Sequence, residues 1–218
     1  MFEDREQAGE QLADRVVAER PARPVVLALP RGGVPVAAVV AQRLGAPLDL
    51  LLVRKLGLPG HEELAAGALV DGDPPQAVYN PEVLAMAGLD ERDFAGQIVD
   101  KTREIAERRD RWMSGRPPVE LAGRTAIVVD DGIATGATMR AALRGLRARS
   151  PEAVWLAVPV APPDTLARLA HEADNVICLS RPQAFQAVGF HYRRFDQVSE
   201  AEVSRILARF DDPDRRPE

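Results

Sequence analysis

The fold class this sequence predicts is α/β, a three-layer α/β/α arrangement around a mainly parallel central sheet, with a small hood or flap appended. Short unbroken apolar runs at Val25-Val26-Leu27-Ala28-Leu29, Leu48 to Val53 and Ala126 to Val129 read as strands buried on both faces. Helical patterns fall between successive runs, as parallel pairing requires of its crossovers. The chain has 218 residues and 46% hydrophobic content, enough for one main core with a cover. The expected organisation is therefore a single domain over 1–218. Its core lies at about 24–180, an inserted flap and helix at about 56–115, and a C-terminal hood at about 181–210.

Each element has a local reason. Asp4 with Gln7 reads as a capping box, and Ala8, Leu12 and Val16 recur at helical spacing, predicting a helix from about 4 to 20. Pro21 and Pro24 end it. After the strand at Val25 comes the turn Pro30-Arg31-Gly32-Gly33, then a helix from Val36 to Leu44 closed by Gly45. The second strand, Leu48 to Val53, is expected to end at Arg54-Lys55. From Leu56 to Asn80 the chain is rich in Gly and Pro, and β-like pieces near Ala66 to Val70 and Ala77 to Tyr79 predict a hairpin or flap. Asp90 can cap a polar helix reaching Met113, whose thin stripe of Phe94, Ile98, Ile105 and Trp112 suits a helix lying over the body. A helix from Gly136 to Arg149, a strand from Ala153 to Val158, a helix from Asp164 to His171 and a strand from Asn175 to Leu179 complete the alternation. Ser199 with Glu202 opens a last helix that turns Val203, Ile206, Leu207 and Phe210 inward, before a charged tail expected to fray.

Composition narrows the function classes. The net charge is −5 with both signs interspersed, so the overall field offers nothing to nucleic acid. The single cysteine, Cys178, sits in an apolar run and reads as a core thiol; it can form no intrachain disulfide and no thiol-based metal site. The first residues are too charged to open a signal peptide, and no apolar run nears the ~20 residues that span a bilayer. A soluble, cytoplasmic protein without membrane or nucleic-acid partners is expected.

The segment that carries chemistry is Val128-Val129-Asp130-Asp131-Gly132-Ile133-Ala134-Thr135-Gly136-Ala137-Thr138. An apolar strand delivers two adjacent carboxylates, and a small-residue turn then opens a helix. Backbone N–H groups from Ala134 to Thr138 lead into a helix N-terminus, where anions are favoured, and Thr135 and Thr138 add hydroxyl donors. Carboxylates beside a phosphate seat would repel that phosphate, so they suit the hydroxyls of a sugar, from which they accept hydrogen bonds. A ribose 5-phosphate meets both demands.

Val128 to Thr138 resembles the signature of the type I phosphoribosyltransferases: an apolar strand, two acids and a small loop ending in Thr-Gly-x-Thr. The resemblance implies the fold of that family and binding of 5-phosphoribosyl-1-pyrophosphate. Asp130 and Asp131 would hold the ribose hydroxyls, and Ala134, Thr135, Gly136, Ala137 and Thr138 the 5-phosphate. Leu29-Pro30-Arg31-Gly32-Gly33 matches the position of the family's tight pyrophosphate loop, where glycines admit backbone N–H groups and Arg31 can fork onto phosphate. Alone, it is equally a strand-to-helix turn. Arg54-Lys55-Leu56-Gly57-Leu58-Pro59-Gly60 looks like the Arg-Lys…Leu-Pro-Gly stretch of adenine phosphoribosyltransferases, and otherwise reads as a solvated pair at a strand end.

The resemblance further implies displacement at ribose C1 with Mg²⁺ held mostly by substrate oxygens near Asp130 and Asp131, with no direct protein cage. Arg31, Arg54 and Lys55 would offset charge on the leaving pyrophosphate. Hypoxanthine-guanine members carry an Asp immediately before the Thr-Gly; Ala134 stands here instead, which is closer to the adenine branch. For the acceptor base, Val160, Phe190 and Tyr192 are weak candidates, joined by Phe195; such aromatics are more often core. His191 is read as structural, and His61, Glu62 and Glu63 as an exposed charged turn. Two other readings stay open: a regulatory protein that senses phosphoribosyl pyrophosphate without catalysis, and a hydrolase or phosphorylase of a related ribosyl phosphate. A homodimer is compatible with the family.

Overall fold

The computed structural model describes residues 1–210. Its central sheet has five parallel strands: β1 Pro24–Ala28, β2 Leu48–Leu50, β6 Thr125–Val129, β7 Ala153–Val160 and β8 Asn175–Ser180. Their spatial order is β2-β1-β6-β7-β8. The two-residue side-chain period assigns alternate residues to opposite faces. Val26, Ala28, Ile127 and Val129 pack beneath helices α1 (Arg5–Ala18), α2 (Gly33–Leu44) and α7 (Glu200–Leu207). Val25, Leu27, Ala126 and Val128 pack beneath α5 (Ala137–Arg147) and α6 (Pro163–Leu169). These three layers are why the strands read as unbroken apolar runs.

A second sheet, antiparallel, joins β3 (Val53–Leu58), β4 (His61–Val70) and β5 (Gln76–Tyr79). Its base is packed rather than free. A Cβ at Gly145 of α5 would lie 2.6 Å from the Val70 Cβ, so the helix and β4 are in close contact there. The distal part of β4, His61 to Ala65, is exposed. Helix α4 (Ala95–Met113) lies against this sheet and carries Arg109 into a buried charge cluster. Arg109 donates to both oxygens of Asp49, at 2.7 and 2.8 Å, and to Asp71 Oδ2 at 2.6 Å. Asp49 Oδ2 also accepts from the Val119 N–H at 2.8 Å. One guanidinium thus joins β2, the end of β4 and α4, and it neutralises carboxylates that burial would otherwise make costly.

Several expectations need correction. The apolar run from Leu48 is not one strand: β2 ends at Leu50, and Val53 already belongs to β3. Arg54 and Lys55 therefore lie inside the antiparallel sheet, not at the end of a parallel strand. Asp90 caps a short 3₁₀ turn, Glu91–Phe94, before α4 begins. A helix between Asn80 and Gly88, α3 (Pro81–Ala87), is not expected from the sequence; Asn80 caps it and Pro81 opens it. Only half of the Asp4/Gln7 box forms, since the Gln7 N–H donates to Asp4 while the Gln7 side chain accepts from the Glu3 N–H. Cys178 is half-buried rather than fully enclosed. The charged tail beyond Phe210 lies outside the described residues. Among the described residues no helix is long and apolar enough to cross a membrane.

Candidate active site

The carboxyl ends of β1, β6 and β7 converge, as ligand sites do in open α/β sheets. Past β6 the chain runs through Asp130 and Asp131, turns, and enters α5 at Ala137. Thr135, Ala137 and Thr138 are exposed and Gly136 half-buried. Gly136 takes φ 79°, a conformation that favours glycine. Among the described residues, no protein acceptor takes the backbone N–H of Thr135, Gly136, Ala137 or Thr138. Four adjacent donors at the start of an 11-residue helix are thus left open among the described residues, an arrangement suited to an anion.

The neighbouring carboxylates are not equivalent. Asp131 Oδ2 accepts from Arg5 Nε at 2.8 Å, and both side chains are only 12% exposed. Arg5 also donates to the Asp196 carbonyl at 2.7 Å and stacks on Phe195, 3.9 Å from its centroid. The Tyr192 hydroxyl donates to the Asp131 carbonyl at 2.5 Å. Burial, then the charge of Asp131, pushes the Tyr192 hydroxyl up, so it stays a donor. Among the described residues no cation pairs directly with the Asp130 carboxylate; its Oδ1 accepts from the Asp131 N–H at 2.9 Å. Burial first, then the adjacent Asp131 charge, raises the Asp130 carboxyl well above the ordinary range. Asp131 is also raised by burial, with Arg5 opposing.

The loop after β1 closes the other side. Its Pro30-Arg31 peptide is cis. A Cβ on Gly32 would fall 2.1 Å from Asp131 Oδ2, and one on Gly33 would fall 2.7 Å from the Val129 carbonyl. Both glycines are thus needed for the two loops to touch. Arg31 is half-buried, and among the described residues its guanidinium has no protein partner. It is available to a ligand.

Arg54 and Lys55 are held differently. Arg54 Nε faces Glu104 Oε2 at 3.3 Å and Nη1 donates to its neighbour's carbonyl at 2.9 Å. Burial, then Arg108, lowers its affinity for the proton. Lys55 Nζ reaches the Glu63 carbonyl at 3.2 Å and lines a polar cleft of about 540 Å³ between β3–β4 and α4. The structure brings Arg31, Gly32, Gly33, Asp130, Asp131 and residues 134–138 together, and gives Arg54 and Lys55 partners of their own. Of the base candidates, Val160 is fully buried and Tyr192 is 5% exposed, so neither offers a face to a base in this conformation; Phe190 is 66% exposed. His191 stacks on Phe185 at 5.2 Å.

Sequence reasoning missed Arg5 and Thr165. Arg5 is the first residue of α1, and nothing in its surroundings marks it; the pairing of Phe2 with Tyr192 brings the N-terminal segment to the site. Thr165 is a buried residue of α6 whose hydroxyl donates to the Ala134 carbonyl at 2.8 Å.

Comparison with known proteins decides the family. The profile of the phosphoribosyl transferase domain matches residues 2–194. The chain belongs to the phosphoribosyl transferase family. Two Mycobacterium tuberculosis proteins, from strains H37Rv and CDC 1551, both named provisionally as phosphoribosyl transferases, are each 47% identical over 209 residues, covering 96% of this chain and 47% of their own length. The chain thus spans about half the length of the curated relatives it matches. The crystal structure of TT1426 from Thermus thermophilus is similar over 96% of this chain and 98% of its own, with 41% identity and a TM-score of 0.83. The α/β fold with its parallel five-stranded sheet is that of the family.

Proposed function

We propose that this phosphoribosyl transferase domain binds 5-phosphoribosyl-1-pyrophosphate and transfers its phosphoribosyl group to a nitrogenous base, releasing pyrophosphate. The observation that carries the reading is the open row of N–H groups from Thr135 to Thr138, with the Asp130 carboxylate and the Arg31 guanidinium both lacking a directly paired opposite charge among the described residues. The 5-phosphate sits on the N–H row. Asp130 accepts from one ribose hydroxyl, and Asp131, whose Oδ2 is committed to Arg5, from a second. The bond from ribose C1 to the pyrophosphate oxygen breaks and pyrophosphate leaves with the electron pair. A bond from C1 to the acceptor nitrogen forms, and the acceptor's proton passes to solvent or a base. Arg31 and the Gly32-Gly33 backbone meet the charge that develops on pyrophosphate.

The donor set fits Mg²⁺ bound through substrate. Among the described residues no cluster of three or more His, Cys, Asp or Glu side chains is poised around a metal, while Asp130 keeps oxygen free. Mg²⁺ takes most of its oxygens from water and substrate phosphates, so one or two carboxylates suffice. Bound there, it would neutralise the pyrophosphate. Phe190 is the accessible aromatic for stacking a base.

One observation favours a second reading. Arg54 and Lys55, the extra cations for a leaving group, are paired with Glu104 and Glu63. A domain that senses phosphoribosyl pyrophosphate would not need them free. Pyrophosphate release, measured with 5-phosphoribosyl-1-pyrophosphate and Mg²⁺ across a panel of purine and pyrimidine bases, separates the two. Base-dependent release that is lost in Asp130→Asn supports the transferase. Tight binding without turnover supports the sensor, and absence of binding contradicts both.

A further inference from the structure

Thr165 belongs to none of the loops assigned above, yet it meets the phosphate loop twice. Its hydroxyl donates to the Ala134 carbonyl at 2.8 Å, and its methyl lies where a Cβ on Gly136 would come within 2.7 Å. The side chain is buried, and the hydroxyl in turn accepts from Arg168 Nη2 at 3.0 Å. That donation occupies a lone pair of the hydroxyl and leaves its proton for Ala134.

The peptide between Ala134 and Thr135 is planar and trans, so its carbonyl and its N–H point in opposite directions. With the carbonyl turned down onto Thr165, the Thr135 N–H is turned out, toward the side where the other loop donors are open. We infer that Thr165 is a positioning residue for the phosphate seat: through the Arg168–Thr165–Ala134 chain it fixes the peptide plane that aims the first N–H of the row at the anion. The inference rests on the reading of residues 134–138 as the 5-phosphate seat. It assigns Thr165 no contact with the sugar, the pyrophosphate or the base.

Ribose 5-phosphate and inorganic pyrophosphate, titrated separately by calorimetry into the full chain, distinguish this from a structural role. Thr165→Val keeps shape and removes the hydroxyl; ribose 5-phosphate binding should weaken about tenfold, the loss of one well-aimed hydrogen bond to a charged group. Pyrophosphate binding should not change. Thr165→Ser restores the hydroxyl and should return ribose 5-phosphate affinity to within about twofold of the parent. Unchanged ribose 5-phosphate binding in Thr165→Val overturns the inference, as does equal weakening of both ligands. If the valine variant loses its melting transition, the Thr165→Ser and Thr165→Ala pair isolates the same hydroxyl. Weaker binding in the alanine variant than in the serine variant supports the inference, and equal binding overturns it. A parent protein that ignores ribose 5-phosphate overturns the functional reading, and this inference with it. A parent that binds while Thr165→Val binds equally well spares the function and sinks only Thr165.

Discussion

The loops at the carboxyl ends of the parallel sheet and the antiparallel sheet beside them both carry charge, but they hold it in opposite ways. At the sheet ends, among the described residues, the N–H groups of Thr135 to Thr138 and the Arg31 guanidinium lack protein partners, and no cation pairs directly with the Asp130 carboxylate. In the antiparallel sheet Arg54 faces Glu104 and Lys55 faces Glu63, while Arg109 engages Asp49 and Asp71 through its two terminal nitrogens. Charges satisfied internally hold a fold together; charges and donors left open define where a ligand adds stability. Arg5 and Asp131 stand between these cases, a closed pair that braces the open site.

The contrast is broken most severely by filling the contact between the two sheet-end loops. Gly33→Ala puts a Cβ 2.7 Å from the Val129 carbonyl, a backbone atom that cannot move aside. We expect kcat/KM to fall by about 100-fold, as displaced positioning groups cause, with stability lower by about 1–3 kcal/mol. Steady-state kinetics and urea unfolding would show both. Arg5→Ala comes next. It leaves Asp131 buried without its cation, at a cost of about 3 kcal/mol in urea unfolding, and Arg5→Lys should recover only part because the stack on Phe195 and the second donor are lost.

Asp130→Asn sharpens the comparison in the other direction. The Asp130 carboxyl is raised in the folded state, so its favourable contribution is full below the unfolded value of 3.8 and is lost as pH climbs through the folded value. Removing the charge should therefore raise Tm at pH 8 by about 2–4 °C, flatten the decline of Tm with rising pH, and abolish transfer. A Tm that fell would show the carboxylate to be a structural charge. The smallest effect is expected in the antiparallel sheet. Glu104→Gln weakens a partly exposed pair with Arg54 and should change kcat/KM by less than about threefold. A large gain would mean that Arg54 serves pyrophosphate once released.

What the sequence made legible follows the same division. The run from Val128 to Thr138 could be read because its function lies in local backbone, in a strand, a turn and a helix start that are contiguous along the chain. The layered fold was legible for a related reason: strands buried on both faces must be apolar throughout. The split of Leu48 to Leu58 between two sheets was hidden, since one apolar run serves either sheet and only the pairing partners differ. Arg5 and Thr165 reach the site from elements more than 100 and about 30 residues from their partners, and no spacing rule announces that. Tyr192 illustrates the same limit: sequence shows an aromatic but not that its hydroxyl holds the Asp131 carbonyl.

The most direct measurement is a crystal structure of the chain grown with 5-phosphoribosyl-1-pyrophosphate and Mg²⁺. The account predicts the 5-phosphate within hydrogen-bonding distance of the Thr135 to Thr138 N–H groups, a ribose hydroxyl on Asp130, and pyrophosphate against Arg31 and Gly32-Gly33. A phosphoribosyl group bound elsewhere, or a 134–138 loop that stays empty at saturating ligand, would contradict it.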